Sequence, residues 1–121
     1  PAAEVIELHH NQKVDAPSGT ALKTAEIIAA NRGSAELEDR TEMEKVDGAR
    51  GGTLEGVRVH SIRLPGLVAH QEVIFGGLGQ TLSIRHDSVS RESFMPGVIM
   101  GVRKVLEMKE LVYGLDQLIF S

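Results

Sequence analysis

The sequence predicts an α+β fold, a small mixed β-sheet flanked by helices. Short β-prone runs separated by turn residues occupy the middle of the chain, and a segment with helical spacing lies on each side of them. A length of 121 residues fits one domain. Hydrophobic residues make up 41% of the chain but aromatics only 3%, so the core must be aliphatic.

The first elements are a strand and a helix joined by a loop. Val5, Ile6 and Leu8 form a β-prone run that ends at His9. Residues 11–19 have the composition of a loop. Apolar residues recur at helical spacing over residues 21–29, and Gly33 is a plausible stop for this helix.

The middle of the chain predicts three strands after a polar excursion. Residues 34–56 form the excursion, with a short helical piece around residues 36–44. The strands follow at residues 57–64, 68–75 and 80–86, with Pro65-Gly66 and Gly76-Gly77 as turns. Apolar and polar residues alternate in the last of them, which is typical of a sheet with one solvated face.

The C-terminal segment is again helical in pattern. Val98, Val102 and Val105 lie on one face of a predicted helix over residues 94–111, and a short apolar piece follows at residues 115–120. So many apolar groups are unusual for a solvated helix. We therefore expect this segment to fold back on its own sheet, to pack against another chain or to stay mobile, and we favour packing between chains.

Composition limits the possible partners. The net charge is −4 and Lys and Arg are scattered, so nucleic-acid binding is not expected. No polybasic run, signal peptide or membrane-length apolar stretch is visible, and there is no cysteine. A cytoplasmic location fits these observations. The chain starts at Pro1 and its first residues already have strand character, so we expect a piece of a longer protein.

The densest group of reactive side chains lies between the first strand and the first helix. His9, His10 and Lys13 are followed by a turn of small residues that leads into Gly19 and Thr20. A helix N-terminus binds anions because its first N–H groups lack partners, and imidazole transfers protons near neutral pH. The pattern predicts a carboxylate or phosphate pocket. The alternative is purely structural: a helix cap and a satisfied histidine pair.

Other features predict less chemistry. Adjacent strand residues point to opposite faces, so His9 and His10 are not expected to chelate one metal ion, and no metal site is predicted. His60, His70 and His86 lie on predicted strands and are more typical of structural histidines. The glycine clusters do not form a dinucleotide-binding fingerprint. A lone arginine such as Arg63 or Arg91 could bind an anion but is usually solvated or ion-paired.

One long ordered run joins the end of the first strand to the first helix: Glu7-Leu8-His9-His10-x-x-Lys13-x-Asp15-Ala16-Pro17-Ser18-Gly19-Thr20-Ala21. This run resembles the signature of the dihydrodipicolinate reductase family. Further matches follow the order found in that family: Arg63-Leu64-Pro65-Gly66, His70, Phe75, His86, Arg91, Phe94 and Gly97. The chain departs from the pattern at Gln80, where the family often has an acidic residue.

The resemblance implies a role for each residue of the loop. His9 would be the general acid/base, and Lys13 would donate a proton and contact a carboxylate. His10 would contact the second carboxylate of the substrate. Gly19 and Thr20 would donate hydrogen bonds to the first carboxylate. The implied substrate is dihydrodipicolinate (4-hydroxy-tetrahydrodipicolinate), which such enzymes reduce to tetrahydrodipicolinate in lysine and diaminopimelate biosynthesis.

The resemblance also implies a division of labour between domains. Residues 1–91 would bind substrate and form oligomers, while residues 92–121 would pack partly on a separate nucleotide-binding domain. That domain would hold the NADPH or NADH, with Arg91 as a possible contact from this chain. The implied assembly is a homotetramer joined through the sheet, and the location is cytoplasmic, or the plastid stroma in a plant. Two alternatives remain: a non-enzymatic ligand-binding or oligomerisation module, and a related oxidoreductase acting on another small carboxylate.

Overall fold

The computed structural model describes residues 2–32, 42–90 and 96–107. These residues form five strands and two helices. In chain order they are β1 (Ala2–His9), α1 (Gly19–Asn31), β2 (Gly52–Leu54), β3 (Val57–Arg63), β4 (Ala69–Gly77), β5 (Gln80–Ser88) and α2 (Pro96–Glu107). Within this part of the chain no helix is both long and apolar enough to cross a membrane.

The five strands form one mixed sheet in the order β2-β3-β1-β4-β5. β1 is the central strand and pairs in parallel with β3, whereas all other neighbours are antiparallel. A parallel pair needs a crossover connection, and α1 lies in the connection between β1 and β3. The predicted α+β class with a mixed sheet is confirmed.

Both helices lie on the same side of the sheet. α1 packs on β1 and β3, and α2 packs on α1 and β5. Side chains alternate along a strand, so β1 turns Val5, Glu7 and His9 towards the helices. The buried core beneath the helices is aliphatic apart from one phenylalanine: Val5, Ala21, Ala25, Ile27, Ile28, Val57, Val59, Val73, Phe75 and Val102.

α1 begins with a side-chain cap. Ser18 is the N-cap, and its hydroxyl accepts a hydrogen bond from the Ala21 N–H at 3.2 Å. Thr24 and Ile28, one turn apart, are buried on the face that meets the sheet. The helix ends at Asn31; the predicted stop at Gly33 lies outside the described residues.

The opposite side of the sheet is not covered by either helix. Register places Ile6, Leu8, Ile62 and Ile74 on this side, interspersed with charged groups. Ile62 is 37% exposed. We call this surface the open face.

Most predicted strands have nearly the observed bounds, but the excursion contains an element that the sequence did not predict. β2 is a three-residue strand at the edge of the sheet, too short to show alternation. Of the short helix predicted around residues 36–44, only residues 42–44 are described, and they are not helical. The apolar piece predicted at residues 115–120 lies outside the described residues.

The predicted C-terminal helix is present as α2. Val98 is 3% exposed and Val102 is fully buried, and Val102 belongs to the core cluster. Of the three possibilities for this segment, the described turns thus pack within the chain, against α1 and β5. The domain boundary near residue 91 stays a prediction, and Arg91 itself lies outside the described residues.

Candidate functional site

The candidate site lies where β1 ends and α1 begins. His9 is the last residue of β1, and Gly19 is the first residue of α1. The loop between them starts with a turn in which the Lys13 N–H donates to the His10 carbonyl at 3.3 Å. The fold therefore brings the end of β1, the loop and the N-terminus of α1 together at the end of the sheet where β1 terminates.

His9 is held by a carboxylate from its own strand. Its side chain is 11% exposed, and its Nδ1 is hydrogen-bonded to Glu7 Oε2. Residues two apart on a strand point to the same face, so Glu7 and His9 lie side by side under the helices. Within the part of the chain that is described, the other ring nitrogen, Nε2, has no hydrogen-bond partner.

Glu7 is fully buried and is paired with Arg63 at the end of β3. Arg63 Nη1 donates to Glu7 Oε2 at 3.1 Å. It also lies 2.8 Å from Oε1, where the contact is an ion pair outside hydrogen-bond angles. Arg63 Nη2 donates to the Asp15 carbonyl at 2.8 Å. One guanidinium thus joins β3, the buried carboxylate and the loop.

The pKa of His9 is lowered from its ordinary value of 6.5. Burial is the largest cause, because it disfavours the charged imidazolium. The hydrogen bond and the negative charge of Glu7 offset part of this effect, while the positive charges of Arg63 and Lys13 add to it. At neutral pH the imidazole is therefore mostly neutral and can accept a proton.

Lys13 supplies a cation to the loop between β1 and α1. Its Nζ donates to Asp15 Oδ1 at 3.1 Å, and the two side chains are 23% and 67% exposed. The pKa of Asp15 is lowered, first by this hydrogen bond from Lys13. An exposed ion pair of this kind contributes little stability. Lys13 can therefore exchange Asp15 for the carboxylate of a ligand at small cost.

The N-terminus of α1 faces open space. A Cβ atom placed on Gly19 would meet no heavy atom within 4 Å. The Ala21 N–H donates to the Ser18 hydroxyl, whereas the N–H groups of Gly19 and Thr20 donate to no other residue in the described part of the chain. Such free N–H groups at a helix start favour an anion.

The structure brings together the residues that the sequence singled out, with different roles for the two adjacent histidines. His9 is buried on the helix-covered face, whereas His10 lies just beyond the strand and is half-buried. His60 and His70 each pair with a carboxylate, Glu4 and Asp87, at 2.6 Å, as expected for structural histidines.

No group of three or more potential metal ligands occurs in residues 2–32, 42–90 and 96–107. Gly76-Gly77-Leu78-Gly79 lies at the turn between β4 and β5, and no described strand leads into a helix through a dinucleotide fingerprint.

Reasoning from sequence missed the two residues behind His9. Glu7 is part of the family signature but carries no assigned role there, and Arg63 is predicted as a lone arginine and as a match to the family pattern, not as a partner of Glu7. The alternation of Val5, Glu7 and His9 was the available signal, because it places a carboxylate and an imidazole on the buried side of the strand.

Comparison with known proteins decides the family. The family model described as "Dihydrodipicolinate reductase, C-terminus" matches residues 1–119. This chain belongs to the dihydrodipicolinate reductase family. It is 62% identical over 119 residues to the 4-hydroxy-tetrahydrodipicolinate reductase of Syntrophomonas wolfei and 60% identical to that of Moorella thermoacetica. These alignments cover 98% of this chain but only 45% and 44% of the two relatives.

A solved structure shows the same relation. The dipicolinate-bound dihydrodipicolinate reductase from Paenisporosarcina sp. TG-14 is 53% identical, with a TM-score of 0.72. The match covers 96% of this chain and 44% of that one. The chain therefore spans somewhat less than half the length of the dihydrodipicolinate reductases that it matches.

Proposed function

We propose that this chain is the substrate-binding domain of a 4-hydroxy-tetrahydrodipicolinate reductase of lysine and diaminopimelate biosynthesis. The enzyme would transfer a hydride from NADPH or NADH to dihydrodipicolinate and release tetrahydrodipicolinate. The observation that carries this proposal is the β1–α1 junction, where an imidazole, an ammonium group and an open helix N-terminus meet. A dicarboxylate needs anion contacts beside a proton source, and this junction supplies both.

The first carboxylate of the substrate would lie at the start of α1. The N–H groups of Gly19 and Thr20, which have no partner in the part of the chain that the structure describes, and the positive end of the helix favour an anion there. Lys13 would turn from Asp15 to the same carboxylate, which strengthens the contact by a full charge. His10 would contact the second carboxylate from beyond the end of β1. The dipicolinate bound to the Paenisporosarcina relative supports a planar dicarboxylate as ligand.

The proton chemistry would belong to His9 and Lys13. Reduction adds a hydride and a proton to the substrate, so the site must supply one proton per turnover. Lys13 would donate it while it holds the carboxylate. His9, mostly neutral at pH 7 and with Nε2 unpartnered among the described residues, would act as the general acid/base. The nicotinamide supplies the hydride and would be held by a separate domain.

The open face would serve as the oligomer interface, in a homotetramer. Ile6, Leu8, Ile62 and Ile74 give it apolar area that neither helix covers. A domain of this size buries only about two-thirds of its unfolded surface, so burial between subunits stabilises it. Sedimentation equilibrium at micromolar concentration checks this point. We expect a tetramer, and a stable monomer would contradict the assignment of the face.

A chimera tests the proposed function. The N-terminal part of the Syntrophomonas wolfei reductase is joined before Pro1, and oxidation of NADPH and NADH is followed with dihydrodipicolinate as substrate. We expect turnover by the chimera and none by the 121-residue chain alone. Dipicolinate binding without turnover in the chimera would favour a non-enzymatic ligand-binding module. Turnover only with another small carboxylate would favour a related oxidoreductase.

A further inference from the structure

Glu7 is a buried carboxylate directly behind the proposed acid/base. It has no exposed surface, and it lies between His9 on its own strand and Arg63 on the neighbouring parallel strand. Burying a carboxylate is costly unless it is paired and hydrogen-bonded. An apolar side chain at this position near the end of the central strand would pack without that cost, so the carboxylate calls for a role of its own.

The bond between Glu7 and His9 selects one form of the imidazole. An ionised carboxylate only accepts hydrogen bonds, so the nitrogen that faces it must carry the hydrogen. That nitrogen is Nδ1. Neutral His9 is therefore the Nδ1–H tautomer, and its lone pair lies on Nε2, which has no partner among the described residues.

Arg63 contacts Glu7 and connects it to the loop. The guanidinium lies 2.8 and 3.1 Å from the two carboxylate oxygens, so its positive charge faces the carboxylate. Through its other amino group Arg63 bonds the Asp15 carbonyl, two residues beyond Lys13. The same pair therefore fixes the His9 ring and one point of the loop that carries Lys13.

We propose that Glu7 is a positioning residue for the reduction, which fixes His9 as the Nδ1–H tautomer with Nε2 directed to the substrate side. Arg63 supports it by pairing with the carboxylate and so holding it in place beside His9. This inference rests on the proposed function, because it assigns His9 a catalytic task. Glu7 acts through His9 and needs no contact with substrate.

Among the described residues, three charged groups lie around His9. Glu7 faces it from β1, Arg63 from the end of β3 and Lys13 from the loop, and all three act on its pKa. β4 contributes the neutral Ala69 opposite His9 and Gln71 opposite Glu7. Gln71 donates to Thr24 of α1 at 3.0 Å, and its neighbour on β5 in the same row is His86. Glu7 is therefore the negative charge that opposes Arg63 and Lys13 at this imidazole.

Nitrogen NMR of His9 in the 121-residue chain tests the inference without any activity. In the wild type we expect the Nδ1–H tautomer. In Glu7→Gln we expect the Nε2–H tautomer to appear and the pKa of His9 to fall, because a raising contribution is lost. The matched control is Glu4→Gln, which removes the carboxylate of another His–Glu–Arg cluster on the same strand and leaves His9 unchanged. A wild-type Nε2–H tautomer would overturn the proposal, and this readout needs no variant to fold.

Kinetics of the chimera give the second readout. We expect Glu7→Gln to lower kcat by about 10- to 100-fold, as for other groups that orient a functional imidazole, with KM changed less than about threefold. The limb of the pH profile that reports His9 should move to lower pH, and Glu7→Asp should restore part of kcat. Equal loss of kcat in Glu7→Gln and Glu7→Asp with an unmoved pH profile would mean a merely structural role. An inactive wild-type chimera would contradict the proposed function, while the NMR result would still decide the role of Glu7.

Discussion

β1 carries, on each of its two faces, a glutamate that is paired with one histidine and one arginine. On the helix-covered face, Glu7 is paired with His9 and Arg63. On the open face, Glu4 accepts from His60 Nε2 at 2.6 Å and from Arg50 Nη2 at 2.9 Å. Each cluster thus joins one glutamate, one histidine and one arginine, but the Glu7 carboxylate is fully buried whereas that of Glu4 is 35% exposed.

The difference shows that environment, more than composition, decides what such a cluster can do. Burial raises the pKa of Glu4, but the hydrogen bonds and charges of Arg50 and His60 outweigh it, and the pKa is lowered overall. Water and salt screen this exposed pair, so its contribution to stability is small. Around Glu7 there is little water to screen the charges, so the orientation of His9 is closely fixed. The buried cluster is the one beside the open helix N-terminus.

The largest expected effects are on catalysis, and they distinguish His9 in the buried cluster from His60 on the open face. In the chimera we expect His9→Ala to lower kcat by about 10²- to 10⁴-fold with a small change in KM. Lys13→Ala should lower kcat and raise KM, because Lys13 both binds the carboxylate and donates a proton. His60→Ala, from the open face, should keep kcat within about threefold. Steady-state kinetics of the three variants measure the contrast. If His9→Ala and Lys13→Ala also left kcat within that range, the assigned site would be wrong.

The two arginines should differ in stability. Arg63→Ala leaves the buried Glu7 without its cation, and breaking a buried pair costs about 3–5 kcal/mol. Arg50→Ala removes a partner that is 41% exposed, and we expect a loss below about 1 kcal/mol. Urea unfolding of both variants measures the difference. Similar losses would show that the environment does not distinguish the clusters.

Substitutions in α2 test whether this helix belongs to the core beneath the helix-covered face of the sheet. Val102 is fully buried in the core cluster, so Val102→Ala should cost about 2 kcal/mol in the free energy of unfolding. The exposed Met100 on the same helix provides a control, and Met100→Ala should change stability by less than about 0.5 kcal/mol. If Val102→Ala leaves the free energy of unfolding unchanged, the segment after residue 91 packs on a separate domain and not on this one, as the predicted domain boundary near residue 91 implies.

The pH dependence of stability should show the buried histidine as a separate step. The pKa of His9 is lower in the folded chain than its ordinary value of 6.5 in the unfolded chain. At a pH between the folded and the unfolded pKa, the unfolded chain therefore binds more protons than the folded chain. The contribution of His9 to stability is complete above about pH 6.5 and is lost as the pH is lowered towards the folded pKa. The lowered pKa values of Glu4, Asp15 and Asp87 cause a further loss only at more acidic pH. Unfolding midpoints across pH, with and without His9→Gln, measure this step, which the variant should lack.

Much of this structure could be predicted from the sequence because local patterns determine it. β-prone runs bounded by turn residues predicted β1 and the three later strands, with alternation visible in the last of them. Helical spacing predicted α1 and α2, and the ordered run from Glu7 to Ala21 predicted the site. β2 could not be predicted, since a three-residue edge strand depends on pairing with β3. The pairing of Glu7 with Arg63 joins residues 56 positions apart, and only the parallel register of β1 and β3 brings them together.

Binding of dipicolinate to the 121-residue chain tests the central claim most directly. Amide NMR signals are followed during titration in the wild type and in Gly19→Val, which fills the open space before α1 while leaving the core untouched. We predict saturable binding of one dipicolinate per chain, with the largest shifts at Lys13, Gly19 and Thr20, and loss of binding in the variant. Shifts confined to the open face, or wild-type affinity in Gly19→Val, would contradict a carboxylate site at the β1–α1 junction.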